Sequence, residues 1–131
     1  MTKEIVRVPV LSEALEKYKV PLSLAVKANG FVFCSGLPPM NLKTGEIIRG
    51  DIIVQTEAVL DGLKLVLETA GSSLDLVVKV TIYIANSAYF PTVNDIYRRY
   101  FPQDPPARTF ATVGSWPWEF DIEIECVALQ G

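Results

Sequence analysis

The chain has 131 residues, half of them hydrophobic and 21% charged, with a net charge of −3 and no histidine. So much apolar sequence excludes a disordered chain, and the missing histidine excludes Ser-His and Cys-His nucleophile pairs, an imidazole base and histidine metal ligands. Twelve basic residues against fifteen acidic, with no basic cluster larger than Arg98–Arg99, do not make the electrostatic footprint of a nucleic-acid binder.

The first twenty residues are mixed: a short apolar run at 5–11, then a charged stretch at 13–19. Pro21 opens the run from Leu22 to Ala28, and Asn29-Gly30 separates it from Phe31-Val-Phe-Cys34. Asn-Gly between two such runs predicts a hairpin, because both turn residues tolerate positive φ. The second strand leads through Ser35-Gly36 to Pro38-Pro39, where pairing stops. After a turn at Lys43-Thr-Gly-Glu46, Asp51 is a predicted N-cap for a helix over 52–70 that ends at Gly71. In it Val59, Leu63, Val66, Leu67 and Ala70 share one stripe. The β-branched run 76–85 predicts a buried strand, and 90–100 a second helix with Pro91 in its first turn. Strands at 107–113 and 121–129 flank Gly114-Ser-Trp-Pro-Trp-Glu119.

The order ββ-α-β-α-ββ predicts an α+β fold in one domain, 1–131, with two helices on one face of a mixed sheet. A sheet covered on one face leaves the other bare. With a mean hydropathy of +0.28 and a size at which only about two thirds of the unfolded surface is buried, that face is the expected subunit interface. In the last strand Ile122, Ile124 and Cys126 take one face, and Glu123 and Glu125 the bare one. Cys34 and Cys126 lie in apolar runs with no CxxC, which argues against zinc and favours two buried free thiols over a disulfide between them. No apolar run is long enough to cross a bilayer, and the first residues do not read as a signal peptide. The expectation is an intracellular, cytoplasmic protein without membrane, metal or cofactor; a mitochondrial form with a removed presequence stays open.

Arg108, in Pro105-Pro-Ala-Arg-Thr-Phe110, is a stiffly presented planar fork of the kind that binds a carboxylate bidentately. Its alternatives are an exposed arginine or a salt bridge to Glu123 or Glu125. Either glutamate is a candidate to hold a water and move its proton; both could instead balance cations across an interface. Ser35 and Gly36 are candidates to offer backbone N–H groups to a small anion, or are an ordinary strand-ending turn. Trp116 and Trp118 line a pocket or fill a gap.

Several stretches together resemble the RidA/YjgF family of reactive-intermediate deaminases: Phe33-Cys-Ser-Gly36 with Pro38-Pro39, Asn41-Leu-Lys-Thr-Gly-Glu46, Thr92-Val-Asn-Asp-Ile-Tyr97, Pro106-Ala-Arg-Thr109 and Ile122-Glu-Ile-Glu-Cys-Val-Ala128. The resemblance covers nearly the whole chain. It implies a chorismate-mutase-like subunit in a homotrimer, with ligand pockets at the subunit clefts. It implies hydrolysis of 2-imino or enamine acids, such as 2-aminoacrylate and 2-iminopropionate, to 2-keto acids and ammonia. On it, Arg108 is the carboxylate clamp, Glu123 lies near the attacking water, Ser35 and Gly36 form a pocket pair, and Asn94 is on the pocket side. Two departures fall at the same pocket: Leu22 stands where the family often has tyrosine, and Phe110 where archetypal members carry cysteine. They keep open a non-catalytic, carboxylate-binding or chaperone-like regulatory trimer. A ribonuclease or translation inhibitor fits the composition least.

Overall fold

The computed structural model describes residues 2–131. Its elements are β1 (Glu4–Val6), α1 (Leu11–Lys17), β2 (Ala25–Ala28), β3 (Phe31–Leu37), α2 (Ile52–Thr69), β4 (Val77–Ile84), α3 (Phe90–Tyr100), β5 (Ala107–Thr112) and β6 (Ile122–Leu129), with short 3-10 turns at Leu74–Leu76 and Ser87–Tyr89. The six strands form one mixed sheet in the order β1-β2-β3-β6-β4-β5. Only β4 and β5 run parallel. Parallel neighbours need a crossover, and α3 supplies it.

Local chemistry sets the element ends. Asn29 (φ 52°) and Gly30 (φ 83°) make the β2–β3 turn. The Asp51 carboxylate accepts the Val54 N–H at 2.9 Å, capping α2, and Gly71 closes that helix at φ 83°. The α2 stripe of Val59, Leu60, Leu63, Val66 and Leu67 is fully buried against Val32, Val80, Ile82, Ile122 and Ile124 of the sheet. Leu63→Ala should cost about 3 kcal/mol in urea unfolding; a loss below about 1 kcal/mol would contradict this packing.

Two expectations are corrected. Among the described residues the helices number three, not two, because α1 occupies the stretch expected to be merely charged. The strand β1, at the start of the apolar run 5–11, was not expected either. Leu11 and Ala14 of α1 enter the common core, while its start has no side-chain cap and puts Val10 at φ 72°, a rare position for a β-branched residue. The first hairpin strand begins at Ala25 rather than Leu22.

Across the sheet, Val6, Ala25, Cys34, Cys126, Val80 and Arg108 form one row by register. All but Arg108 are buried, so this row lies on the helix-covered face. Cys34 and Cys126 are buried free thiols in directly paired positions. The hydrogen bond with Cys34, then burial, push the Cys126 pKa far above the ordinary thiol range, which leaves it protonated and inert. The other face carries exposed Ile5, Phe33 and Leu129 beside Thr81, Tyr83, Glu123 and Glu125.

Candidate functional site: two residue groups on opposite faces of the sheet

The first group forms where β3 is irregular. Cys34 pairs with Cys126 and Leu37 with Ile124, so Ser35 and Gly36 together oppose Glu125. This two-against-one bulge returns Leu37 to the core and leaves Ser35-Gly36 beside Glu123. A β-carbon on Gly36 would collide with Glu123 Oε1 and lie 3.0 Å from its Cδ; glycine is what makes room for the carboxylate. The Ser35 N–H donates to the Leu24 carbonyl at 2.9 Å, and its hydroxyl to the Ser23 carbonyl at 2.6 Å. The expectation of a free Ser35 N–H is therefore corrected: β3 pairs back onto the chain before β2, and Ser35 presents only oxygen lone pairs.

The two glutamates differ. Glu125 accepts a hydrogen bond from the Tyr83 hydroxyl at 2.5 Å. Among the described residues, Glu123 has no side-chain hydrogen bond or ion pair, and burial, followed by repulsion from Glu125, raises its pKa above the ordinary carboxylate value. It lines a cavity of about 330 Å³ together with Ser35, Gly36, Leu22, Trp116 and Trp118. The tryptophans are wall, not filler: Trp118 packs against Tyr18 (ring centroids 5.8 Å apart) and Trp116 against Phe120 (4.7 Å). The start of β6 is pinned to α2 by buried Gln55, whose amide nitrogen donates to Asp121 Oδ2 (3.0 Å) and whose amide oxygen accepts the Asp121 N–H (2.8 Å).

The second group is on the other face. Arg108 pairs in register with buried Val80, and Phe110 with buried Ile82, whereas Glu123 and Glu125 pair with Tyr83 and Thr81. Since β5 and β6 flank β4, their backbones are about 10 Å apart, and the side chains diverge from there. A salt bridge from Arg108 to either glutamate within one chain is thereby excluded. The Arg108 guanidinium carbon instead sits 4.8 Å from the Tyr97 ring centroid, 5.5 Å from Phe110 and 5.9 Å from Phe90. Among the described residues it makes no side-chain hydrogen bond or ion pair. Asn94 and Tyr97 line the same depression, and Asn94 Oδ1 and Tyr97 Oη are buried without partners. Burial pushes the Tyr97 pKa up to about 12, against the lowering effect of Arg108, so its hydroxyl keeps its proton.

The predicted residues thus fall into two sets, Ser35, Gly36 and Glu123 against Arg108, Asn94 and Phe110. Tyr97, Phe90 and Tyr83 join them unforeseen, since nothing in their local sequence separates them from core aromatics. Among the described residues no three Cys, Asp or Glu side chains converge on a point that could hold a metal ion, and no helix is long and apolar enough to cross a membrane.

This α+β architecture matches YjgF-like structures. A yeast protein of known structure, YEO7, superimposes with a TM-score of 0.90 at 33% identity, over 99% of this chain and 100% of its own. The family model described as Endoribonuclease L-PSP matches residues 13–130. A RutC family protein of Pyrococcus horikoshii is 42% identical over 92% of this chain and 96% of its own length. The chloroplastic Reactive Intermediate Deaminase A of Arabidopsis thaliana is 43% identical over 82% of this chain and 58% of its own. The chain belongs to this RidA/YjgF family.

Proposed function

We propose that the protein hydrolyses 2-imino and enamine acids, 2-aminoacrylate and 2-iminopropionate among them, to 2-keto acids and ammonia. The unpartnered Arg108 fork, with two orphaned polar atoms beside it, is the observation that carries this reading, because such a group is built for a planar anion. The Arabidopsis relative's name as a reactive-intermediate deaminase supports it.

In this reading the working unit is a homotrimer. Arg108 lies on the edge strand β5, and the half-exposed apolar face of the sheet carries Glu123. Seating that face of one subunit at the β5 edge of the next joins the half-sites. Arg108 clamps the substrate carboxylate, with Asn94 and Phe110 as walls. An enamine first reaches the imine by moving a proton from nitrogen to C3. On the imine, Glu123 accepts a proton from water as the water oxygen bonds to C2 and the C2=N π pair moves to nitrogen, which takes that proton. The hydroxyl of the resulting carbinolamine then gives its proton to nitrogen, the C2–N bond breaks, and ammonia and the 2-keto acid leave. Water is the only co-reactant. Orientation of two reactants already close in energy to reaction suffices for a useful rate.

Apolar Leu22 and Phe110, where the family often carries polar groups, favour non-catalytic carboxylate binding as the second reading. RNA cleavage is disfavoured by the absence of histidine and the acidic balance. The test feeds imine from an amino-acid oxidase and records 2-keto acid release. Acceleration by the protein is expected; none with several amino acids leaves the binding reading. Gly36→Ala, which pushes the flexible Glu123 carboxylate aside, should cut that acceleration about tenfold or more with little change in Tm. Wild-type turnover in that variant would contradict the role given to Glu123.

A further inference from the structure

Given the deaminase reading, we infer that the preferred substrates are 2-imino acids with a large apolar side chain, such as those derived from leucine or phenylalanine, and that Leu22, Trp116 and Trp118 determine this preference. With the carboxylate held by Arg108 and C2 at Glu123, the substituent on C2 falls into the cavity that Glu123 lines. That cavity measures about 330 Å³. A methyl group is about the size of one water molecule, ~30 Å³, so a three-carbon substrate leaves most of it wet. Its walls are mostly leucines, Met40, prolines and the two tryptophans, and among the described residues of this chain no lysine or arginine lines it. An acidic side chain therefore meets no cation there and faces Glu123, while an alkyl or aryl group displaces water held against apolar walls.

Each buried methylene contributes roughly fourfold in affinity, and three more carbons separate an isobutyl from a methyl substituent. The expected ratio of kcat/KM, leucine-derived over alanine-derived imine, is about tenfold or more, with the glutamate-derived imine slowest. Leu22 and Trp118 are 44% and 42% exposed, so the fold does not depend on either. Trp118→Ala and Leu22→Ser are each expected to shrink the ratio several-fold, chiefly by weakening the leucine-derived substrate.

The experiment pairs this kinetic series with intrinsic fluorescence, because the chain's two tryptophans both line the cavity. Titration with 4-methyl-2-oxopentanoate should perturb emission at lower concentration than titration with pyruvate. Turnover with equal kcat/KM for small and large imines would overturn the preference and leave the deaminase reading standing. No turnover, but selective binding of the branched keto acid, would overturn the deaminase reading and keep the ligand class. Neither turnover nor selective binding would overturn both.

Discussion

Arg108→Ala is expected to lower kcat/KM for imine hydrolysis by about two to four orders of magnitude while leaving the protein folded. Removing one partner of a desolvated, hydrogen-bonded charge pair typically costs about 3–5 kcal/mol; here the pair is guanidinium with substrate carboxylate. The fold loses much less. The Arg108 guanidinium has no hydrogen-bond or ion-pair partner among the described residues, and what disappears is its contact with the rings of Tyr97, Phe110 and Phe90, worth about 0.5–1 kcal/mol when partly exposed. Arg108→Lys should not restore activity, because a point charge cannot replace a planar fork. Steady-state kinetics with thermal melts checks both halves; a folded alanine variant with near wild-type turnover would remove the basis for the assignment.

Glu123→Gln should reduce kcat by about 10²–10⁴, the usual weight of a general base, and remove the acid limb of the pH–rate profile. In the wild type, activity falls as pH drops and the carboxylate takes up a proton. Burial and then Glu125 raise that pKa, so the limb should lie above the ordinary carboxylate value of about 4.3. Stability runs the other way. A folded-state pKa above the unfolded one means that protonation favours the fold, and the cost of ionised Glu123 is fully present above the folded pKa and gone below the unfolded one. Glu123→Gln should therefore melt at or above the wild-type temperature at neutral pH, and the gap should close on acidification. A variant that is both less stable and unchanged in its pH profile would contradict this.

The features that were legible in the sequence are those with local causes. Asn29-Gly30 made its turn, Asp51 its cap and Gly71 its helix end because each acts on backbone within a few residues. Strict alternation separated Ile122, Ile124 and Cys126 from Glu123 and Glu125 without any tertiary information. The helix α1 was hidden because seven residues carry little periodicity and no capping side chain announces them, although Leu11, Ala14 and Leu15 have helical spacing. The split of the site was hidden for a different reason. Alternation within β5 and within β6 is readable, but their relative phase depends on β4 between them, a register set by the whole sheet. Likewise Glu123 and Glu125 look equivalent along the chain; Tyr83, forty-two positions from Glu125, occupies one and leaves the other to the cavity.

In the proposed trimer, Arg108 of one subunit and Glu123 of another build each active site, and subunit mixing puts that arrangement to the test. Arg108→Ala and Glu123→Gln proteins, each inactive alone, would be unfolded together, refolded, and checked by native mass spectrometry for mixed trimers. In a closed ring every mixed trimer contains one junction with both intact groups, so random mixing should restore about a quarter of wild-type activity. If fully mixed trimers stay as inactive as their parents, the two residues do not meet across subunits, and the site proposed here does not exist.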